Sequence, residues 1–155
     1  MIMKSIERRD LMKGLGIGAV AVTAGSFATR EVYAKTADAD VLMKKLSGAN
    51  SYKSGKITLK LPEIAENGRT VPLSVSVDSP MTNKNHVKAI HIVSEGNPTP
   101  SVISFNLTAA SGKAAVSTRV RLGKTQNIQA AAVMNDGSVY LTKQKIKVTI
   151  GGCGG

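Results

Sequence analysis

A single cysteine lies close to the carboxyl end of the chain, in the run Gly151-Gly152-Cys153-Gly154-Gly155. It is the only cysteine among the 155 residues, and a thiol can form covalent bonds with many partners. The neighbouring residues supply no cation and no helix start that would activate this thiol. We therefore expect Cys153 to be modified by other proteins rather than to act as a self-activated nucleophile.

Four glycines surround this cysteine, and we interpret residues 151–155 as a flexible arm. Glycine loses more conformational entropy on ordering than any other residue, so a run of it has no evident role in a fold. Three extended residues after a strand that ends at Ile150 would reach about 10 Å, far enough to enter the cleft of a partner. The alternative is a frayed chain end whose cysteine is incidental.

Residues 1–34 have the pattern of a twin-arginine signal peptide. The pair Arg8-Arg9 is followed within four positions by a leucine and a lysine, and then by an apolar stretch over residues 14–27. That stretch is too short and too rich in glycine to cross a bilayer as a stable helix. We expect export by the twin-arginine route.

Cleavage of the signal peptide is expected after Ala34, or else after Ala37, because small residues precede both positions. The destination would be a bacterial periplasm, with no membrane attachment after cleavage. In that oxidising compartment a lone cysteine has no partner within its own chain. It is therefore either joined to something else or used chemically.

The net charge of the chain is +11, and the part after residue 34 keeps +9, since residues 1–34 hold five basic and three acidic residues. Such a charge is compatible with nucleic-acid binding. Aromatic residues, on which bases would stack, make up only 3% of the chain, and tryptophan is absent. We therefore do not expect a nucleic-acid partner.

The first element after the signal peptide is predicted to be a short amphipathic helix from Thr36 to Leu46. Thr36 is placed to cap its start and Gly48 to end it. Apolar residues at spacings of three and four form one face, which would pack on the body or contact a partner. The residues of this face are Ala39, Leu42, Met43 and Leu46.

Beyond residue 56 the apolar residues alternate with polar ones, which indicates strands. Seven strands with turn signals between them predict an all-β, immunoglobulin-like antiparallel sandwich over residues 35–150. The first two strands are expected to be antiparallel neighbours, and the last two to be joined across residues 135–137. The predicted strands are residues 57–61, 71–77, 87–93, 102–107, 115–122, 128–133 and 139–150.

The final strand is predicted to carry a basic stripe toward the cysteine. Alternation places Lys143, Lys145 and Lys147 on the outer face, and Arg119 and Arg121 form a similar outward pair. These charges would steer anions or acidic partners toward the arm, or would simply keep a solvated face soluble. The residues expected to point inward on the final strand are Ile146, Val148 and Ile150.

The sequence offers no conventional catalytic or metal site. His86 and His91 are the only histidines, and with one remote cysteine they do not form a ligand set at metal spacing. No second cysteine is present to resolve a disulfide, and no phosphate-binding loop or serine–histidine–carboxylate pattern is found. We predict that the chain is not an enzyme and holds neither metal nor cofactor.

Both ends of the chain and four internal runs together resemble a known family. The ends are the twin-arginine pattern and the Gly-Gly-Cys-Gly-Gly terminus. The internal runs are Glu66-Asn67-Gly68 to Val71-Pro72, Ser79-Pro80-Met81, Asn97-Pro98 with Pro100, and Thr118-Arg119-Val120-Arg121-Leu122 to Thr125-Gln126. In these features the chain resembles the SoxY family, the cysteine-bearing subunit of the SoxYZ sulfur carrier of bacterial thiosulfate oxidation.

The resemblance implies a role for Cys153 as the covalent attachment point of sulfur. A haem-containing enzyme would join thiosulfate oxidatively to it, giving a cysteine S-thiosulfonate. A thiosulfohydrolase would then release sulfate, and a sulfur dehydrogenase would oxidise the sulfur that remains. The resemblance also implies a heterodimer with a SoxZ-like subunit, itself an immunoglobulin-like sandwich.

Two functions of other classes stay open at this point. An exported structural module could form a disulfide-linked dimer through Cys153. A terminal diglycine could instead be activated as in ubiquitin-like proteins, although this requires ATP, which the periplasm does not offer. A prenylated terminus is excluded, because only two residues follow the cysteine.

Overall fold

Eight β-strands form two sheets that pack face to face. The computed structural model describes residues 36–152, which fall within one unit, so the predicted signal peptide, Cys153, Gly154 and Gly155 lie outside the described residues. One sheet has the order β1-β3-β6 and the other the order β2-β8-β7-β4-β5. In chain order the strands are β1 (Ile57–Lys60), β2 (Ile64–Asn67), β3 (Val71–Val77), β4 (Val87–Ser94), β5 (Ser101–Asn106), β6 (Ala115–Val120), β7 (Gln126–Met134) and β8 (Val139–Ile150).

The core between the sheets is built from the alternation that the sequence shows. Strand β3 buries every second residue from Val71 to Val77 and leaves Pro72 and Ser76 exposed. Opposite it, the central strand β7 contributes Ile128 and two alanines to the same core. Because side chains alternate between faces along a strand, one face of each sheet fills the interior. The predicted β-sandwich is confirmed.

The helix α1 (Thr36–Ser47) packs on the outer face of the five-stranded sheet. Its fully buried residues Ala39 and Met43 contact a small apolar cluster that includes Ala131 of β7. The end of the helix is as predicted, since Gly48 has φ of 68° and its N–H donates to the Lys44 carbonyl at 2.9 Å. This packing makes β7 a strand that is covered on both faces.

Two expectations about pairing are confirmed, and one strand was missed. Strands β1 and β3 are antiparallel neighbours, and β7 and β8 form a hairpin. The missed strand is β2, which pairs in parallel with β8 in the other sheet. It has four residues and buries only Ala65, so no alternation marks it in the sequence. The connection from β1 to β3 therefore passes through the second sheet.

The inward orientation predicted for Ile150 was wrong. Ile146 is fully buried and Val148 is partly buried against the core, but the side chain of Ile150 is 68% exposed. On this strand the core therefore ends at Val148. Lys143, Lys145 and Lys147 are all exposed as expected. Lys143 also forms an ion pair with Glu95.

Glu95 connects the helix to the sheet through a buried polar cluster. Its carboxylate lies 2.6 Å from the Lys143 ammonium and accepts hydrogen bonds from Asn127 and Gln129. The Thr36 hydroxyl donates to it at 3.3 Å, so this residue contacts the sheet from the first position of the helix. Burial alone raises the pKa of Glu95, but the hydrogen bonds and the charge of Lys143 outweigh it, and the net pKa is lowered.

Glu95→Gln is expected to lower the free energy of unfolding at pH 7 by about 2 kcal/mol, since hydrogen bonds to charged groups contribute about 1.5–3 kcal/mol. The pKa of Glu95 is lower in the folded protein than in the unfolded chain. Its carboxylate therefore stabilises the fold above a pH of about 4.3, and this contribution is lost as the pH falls through the folded-state pKa. Urea unfolding at pH 7 and pH 3 measures both effects.

The exposed Glu63 offers the matched control, because Glu63→Gln makes the same chemical change away from this cluster. That variant should unfold as the wild type does at both pH values. If Glu95→Gln lost the same free energy at pH 3 as at pH 7, the charge of the carboxylate would not be the stabilising feature.

Candidate functional site

The last described residues cross from one sheet to the other. Strands β2 and β8 end together, and the register of the other strands brings the end of β6 to the same end of the sandwich. Beyond β8 the Gly152 N–H donates to the Leu122 carbonyl at 3.0 Å. Gly68 accepts from the Leu122 N–H at 2.7 Å and donates to the Ile150 carbonyl at 2.8 Å. These backbone hydrogen bonds fix the chain one residue before Cys153.

Glycine is required at this crossing because backbones approach one another closely. A Cβ on Gly152 would lie 2.6 Å from the carbonyl carbon and oxygen of Gly68 and 2.8 Å from the nitrogen of Arg69. A Cβ on Gly151 would meet the carbonyl oxygen of Gly123, and a Cβ on Gly68 would meet that of Leu122. Real Cβ atoms do not approach backbone atoms so closely, so no other residue fits without a shift.

The first two glycines of the predicted arm therefore lie against the body. The sequence interpretation assigned Gly151 and Gly152 to the arm for their conformational freedom. In the structure Gly152 is buried and hydrogen-bonded, and Gly151 is half-buried beside Gly123. Cys153, Gly154 and Gly155 lie outside the described residues.

Asn97 holds the segment that receives Gly152. Its side-chain amide donates to the Arg121 carbonyl at 2.8 Å, and its amide oxygen accepts from the Gly123 N–H at 3.0 Å. The same oxygen accepts from the Gln126 side chain at 2.9 Å, and Gln126 in turn accepts from the Gly96 N–H at 2.8 Å. Asn97 is therefore hydrogen-bonded to the backbone of Arg121 and of Gly123, the two residues that flank Leu122. These two bonds orient the Leu122 carbonyl, which accepts from Gly152.

Sequence reasoning did not assign a role to Asn97, Gln126, Gly68 or Leu122. The signal was nevertheless present, because three of the four internal runs that resemble the SoxY family contain them. These runs are separated by about twenty residues along the chain. Only the fold brings them together beside Gly152. The fourth run, residues 79–81, does not take part in these hydrogen bonds.

The two histidines do not form a common site. His86 has its Nδ1 3.1 Å from the Thr82 carbonyl, and His91 has its Nδ1 2.8 Å from the Ser104 hydroxyl on the neighbouring strand. Burial lowers the pKa of His91. Within residues 36–152 no three side chains of His, Cys, Asp or Glu are grouped so that they could hold a metal ion. In the same part of the chain no helix has the length and apolarity of a membrane span.

The sandwich is shared with solved proteins of low sequence identity. A superoxide reductase (neelaredoxin) from Ignicoccus hospitalis superposes with a TM-score of 0.55 at 16% identity, over 76% of this chain and 96% of that one. A putative superoxide reductase from Thermotoga maritima gives a TM-score of 0.56 at 22% identity, over 67% of this chain and 97% of that one. At these identities the similarity shows the fold alone. No curated protein sequence matches the chain significantly.

A more similar structure points to a family. The sulfur carrier protein SoxY from Chlorobium limicola f thiosulfatophilum is 32% identical, with a TM-score of 0.60, over 72% of this chain and 96% of that one. The family model described as "Sulfur oxidation protein SoxY" matches residues 43–153, which run from the middle of α1 through the cysteine. With most of the chain matched in both sequence and fold, the protein belongs to the SoxY family of sulfur oxidation proteins.

Proposed function

We propose that this protein carries the sulfur intermediates of thiosulfate oxidation as covalent adducts of Cys153, in the periplasm. Family membership supports a carrier role in sulfur oxidation. The observation that carries the finer assignment is that the family match extends through Cys153, the only thiol in the chain. The anchor at Gly152 supports it, because a fixed point one residue before the thiol presents that thiol at one end of the sandwich.

The carrier cycle begins with an oxidative step on the thiol. The Cys153 thiolate and the outer sulfur of thiosulfate form a disulfide bond, which gives Cys–S–S–SO₃⁻, and two electrons pass to the haem-containing partner. Water then attacks the sulfonate sulfur on a thiosulfohydrolase, the bond between the two outer sulfurs breaks, and sulfate and two protons leave. The persulfide Cys–S–S⁻ remains, and a sulfur dehydrogenase oxidises it further before hydrolysis regenerates the thiol.

In this proposal the partner enzymes catalyse every step of the cycle. Each step needs a redox centre or a hydrolytic site, and the proposed carrier supplies an attachment point that each partner can bind in turn. A covalent tether keeps the intermediate at high local concentration and prevents its loss between enzymes. We therefore propose that the chain itself is not an enzyme and holds no cofactor.

The proposal also includes a heterodimer with a second subunit and export to the periplasm. A SoxZ-like subunit would form a heterodimer with this chain, since membership of the family implies a partner from the same pathway. The twin-arginine pattern of residues 1–34 would export the folded pair together, which accounts for a folded-protein route in a chain without a bound cofactor. Removal of the signal peptide after Ala34 would release the mature carrier.

Intact-mass measurement of the protein purified from its host tests the assignment. Growth on thiosulfate is expected to give additions of one or more sulfur atoms, or of thiosulfate, confined to the C-terminal peptide and removed by a thiol reductant. Cells grown without reduced sulfur provide the control and should yield the unmodified thiol. A protein found only as a disulfide-linked dimer, without sulfur adducts under either condition, would instead indicate a structural module.

A further inference from the structure

A cavity of about 350 Å³ opens between an edge strand of one sheet and an edge strand of the other. Strand β5 of the five-stranded sheet and strand β6 of the three-stranded sheet form its walls, and the loop from Asn97 to Thr99 closes one end. Arg119 and Arg121 lie on the β6 side, and Ser101 lies across from them on β5. The cavity also contacts the hydrophobic core, through the lining residues Val102, Ile103 and Val120. Arg119 and Arg121 are exposed.

The charge of this cavity is not neutralised by the chain. Within residues 36–152 the ion pair between Lys143 and Glu95 is the one salt bridge found, and it involves neither Arg119 nor Arg121. No acidic residue lines the cavity, and the hydroxyls of Thr99 and Ser101 add further donors. Two arginines and two hydroxyl residues therefore line one cavity. A guanidinium binds a tetrahedral oxyanion through two parallel hydrogen bonds.

The cavity lies beside the point at which the tail is anchored. Gly152 is hydrogen-bonded to the carbonyl of Leu122, and Arg121 is the residue directly before Leu122. Asn97 contributes to both places, since it lines the cavity and bonds the backbone on both sides of Leu122. Cys153 directly follows Gly152, so the attachment point of the proposed adduct lies one residue beyond this anchor.

We propose that the cavity lined by Arg119 and Arg121 binds the sulfonate group of sulfur oxyanions, above all the terminal sulfonate of the adduct carried on Cys153. This inference rests on the proposed carrier function. The site would distinguish the states of the carrier, because the persulfide left after sulfate release no longer has a tetrahedral oxyanion.

The first experiment uses free ligand. The ¹⁵N-labelled Cys153→Ser protein is titrated with thiosulfate, and the Nε–Hε signals of the arginines are followed by NMR. The signals of Arg119 and Arg121 are expected to shift in a saturable manner. In the double variant Arg119→Gln/Arg121→Gln, binding should weaken at least about tenfold, because two charge-assisted contacts are lost.

The second experiment uses tethered ligand in the protein with its cysteine. Tetrathionate loads the thiol without any enzyme: the Cys153 thiolate attacks an inner sulfur, a new disulfide bond forms, thiosulfate leaves, and the thiol proton passes to solvent. This gives the same Cys–S–S–SO₃⁻ group, which intact mass verifies. Loading is expected to shift the Nε–Hε signals of both arginines, and reduction by dithiothreitol should return them to their original positions.

The double variant Lys88→Gln/Lys113→Gln is the matched control, since it removes two positive charges from exposed residues at the opposite end of the sandwich. It should bind thiosulfate as the unmodified protein does. Shifts with free thiosulfate alone would assign the site to free oxyanions, and shifts on loading would assign it to the adduct. If neither experiment shifts the arginine signals, or if both double variants behave alike, the proposal is wrong.

Failure of this test and failure of the carrier function can be told apart. Tetrathionate loading requires no partner enzyme, so an absence of arginine shifts leaves the carrier function in place. An absence of sulfur adducts in the host would contradict the carrier function while leaving the binding measurements valid.

Discussion

Replacing Cys153 with serine is expected to abolish thiosulfate-dependent turnover completely. A serine hydroxyl cannot form the sulfur–sulfur bond on which every intermediate of the proposed cycle is carried. The residue lies beyond the last anchored position, Gly152, so the fold and the pairing with a second subunit should be retained. Turnover is measured with the reconstituted partner enzymes, and folding by the thermal unfolding midpoint.

Thr149→Ser provides the matched control for this variant. It alters an exposed side chain close to the tail and keeps the thiol. Full turnover is expected. Retained turnover in Cys153→Ser, with both variants folded normally, would contradict the proposed carrier role. The sequence contains no other cysteine that could carry the sulfur.

Gly152→Val is expected to destabilise the protein and to release the tail from its anchor. The added Cβ would lie 2.6 Å from backbone atoms of Gly68, which cannot move aside as a flexible side chain could. Overpacking of this kind costs about 1–3 kcal/mol, so the free energy of unfolding should fall by that amount. The loss of the hydrogen bond to the Leu122 carbonyl can be detected as faster exchange of the amide at position 152.

Gly154→Val is the informative comparison, because it places the same side chain two residues farther along the same run. If partner enzymes need a thin arm, both variants should slow sulfur transfer, but only Gly152→Val should lose stability. Equal thermal stability of Gly152→Val and the unmodified protein would contradict the packing of Gly152 against Gly68. If sulfur transfer were slow with Gly152→Val and normal with Gly154→Val, the slower transfer would result from the lost anchor at Gly152.

Local pattern was sufficient to predict most of the fold. The alternation in strands such as β3 predicted which residues enter the core, and the spacing of Ala39 and Met43 predicted the buried face of α1. These predictions succeed because period and turn chemistry are local properties that the sheet then satisfies. Strand β2 was missed because a short strand that buries only Ala65 has no period to detect.

For the candidate site, the sequence identified the cysteine but not the role of the glycines before it. Cys153 stands out in the sequence because it is the only thiol and glycines surround it, and no structure was needed to select it. The same glycines were interpreted as freedom of movement, yet two of them are required by close contact between backbones. Composition alone cannot separate these two uses, because both need a residue without a side chain.

The sequence by itself therefore determined seven of the eight strands, the helix and the single cysteine to which we assign the carrier role. The tertiary structure decided that the chain is held at Gly152, and it placed Asn97, Leu122 and Gly68 around that point. It also placed Arg119 and Arg121 in one cavity beside it. The physical reason is that these contacts join residues far apart in the chain. Such residues come within contact distance only when the two sheets have packed against each other.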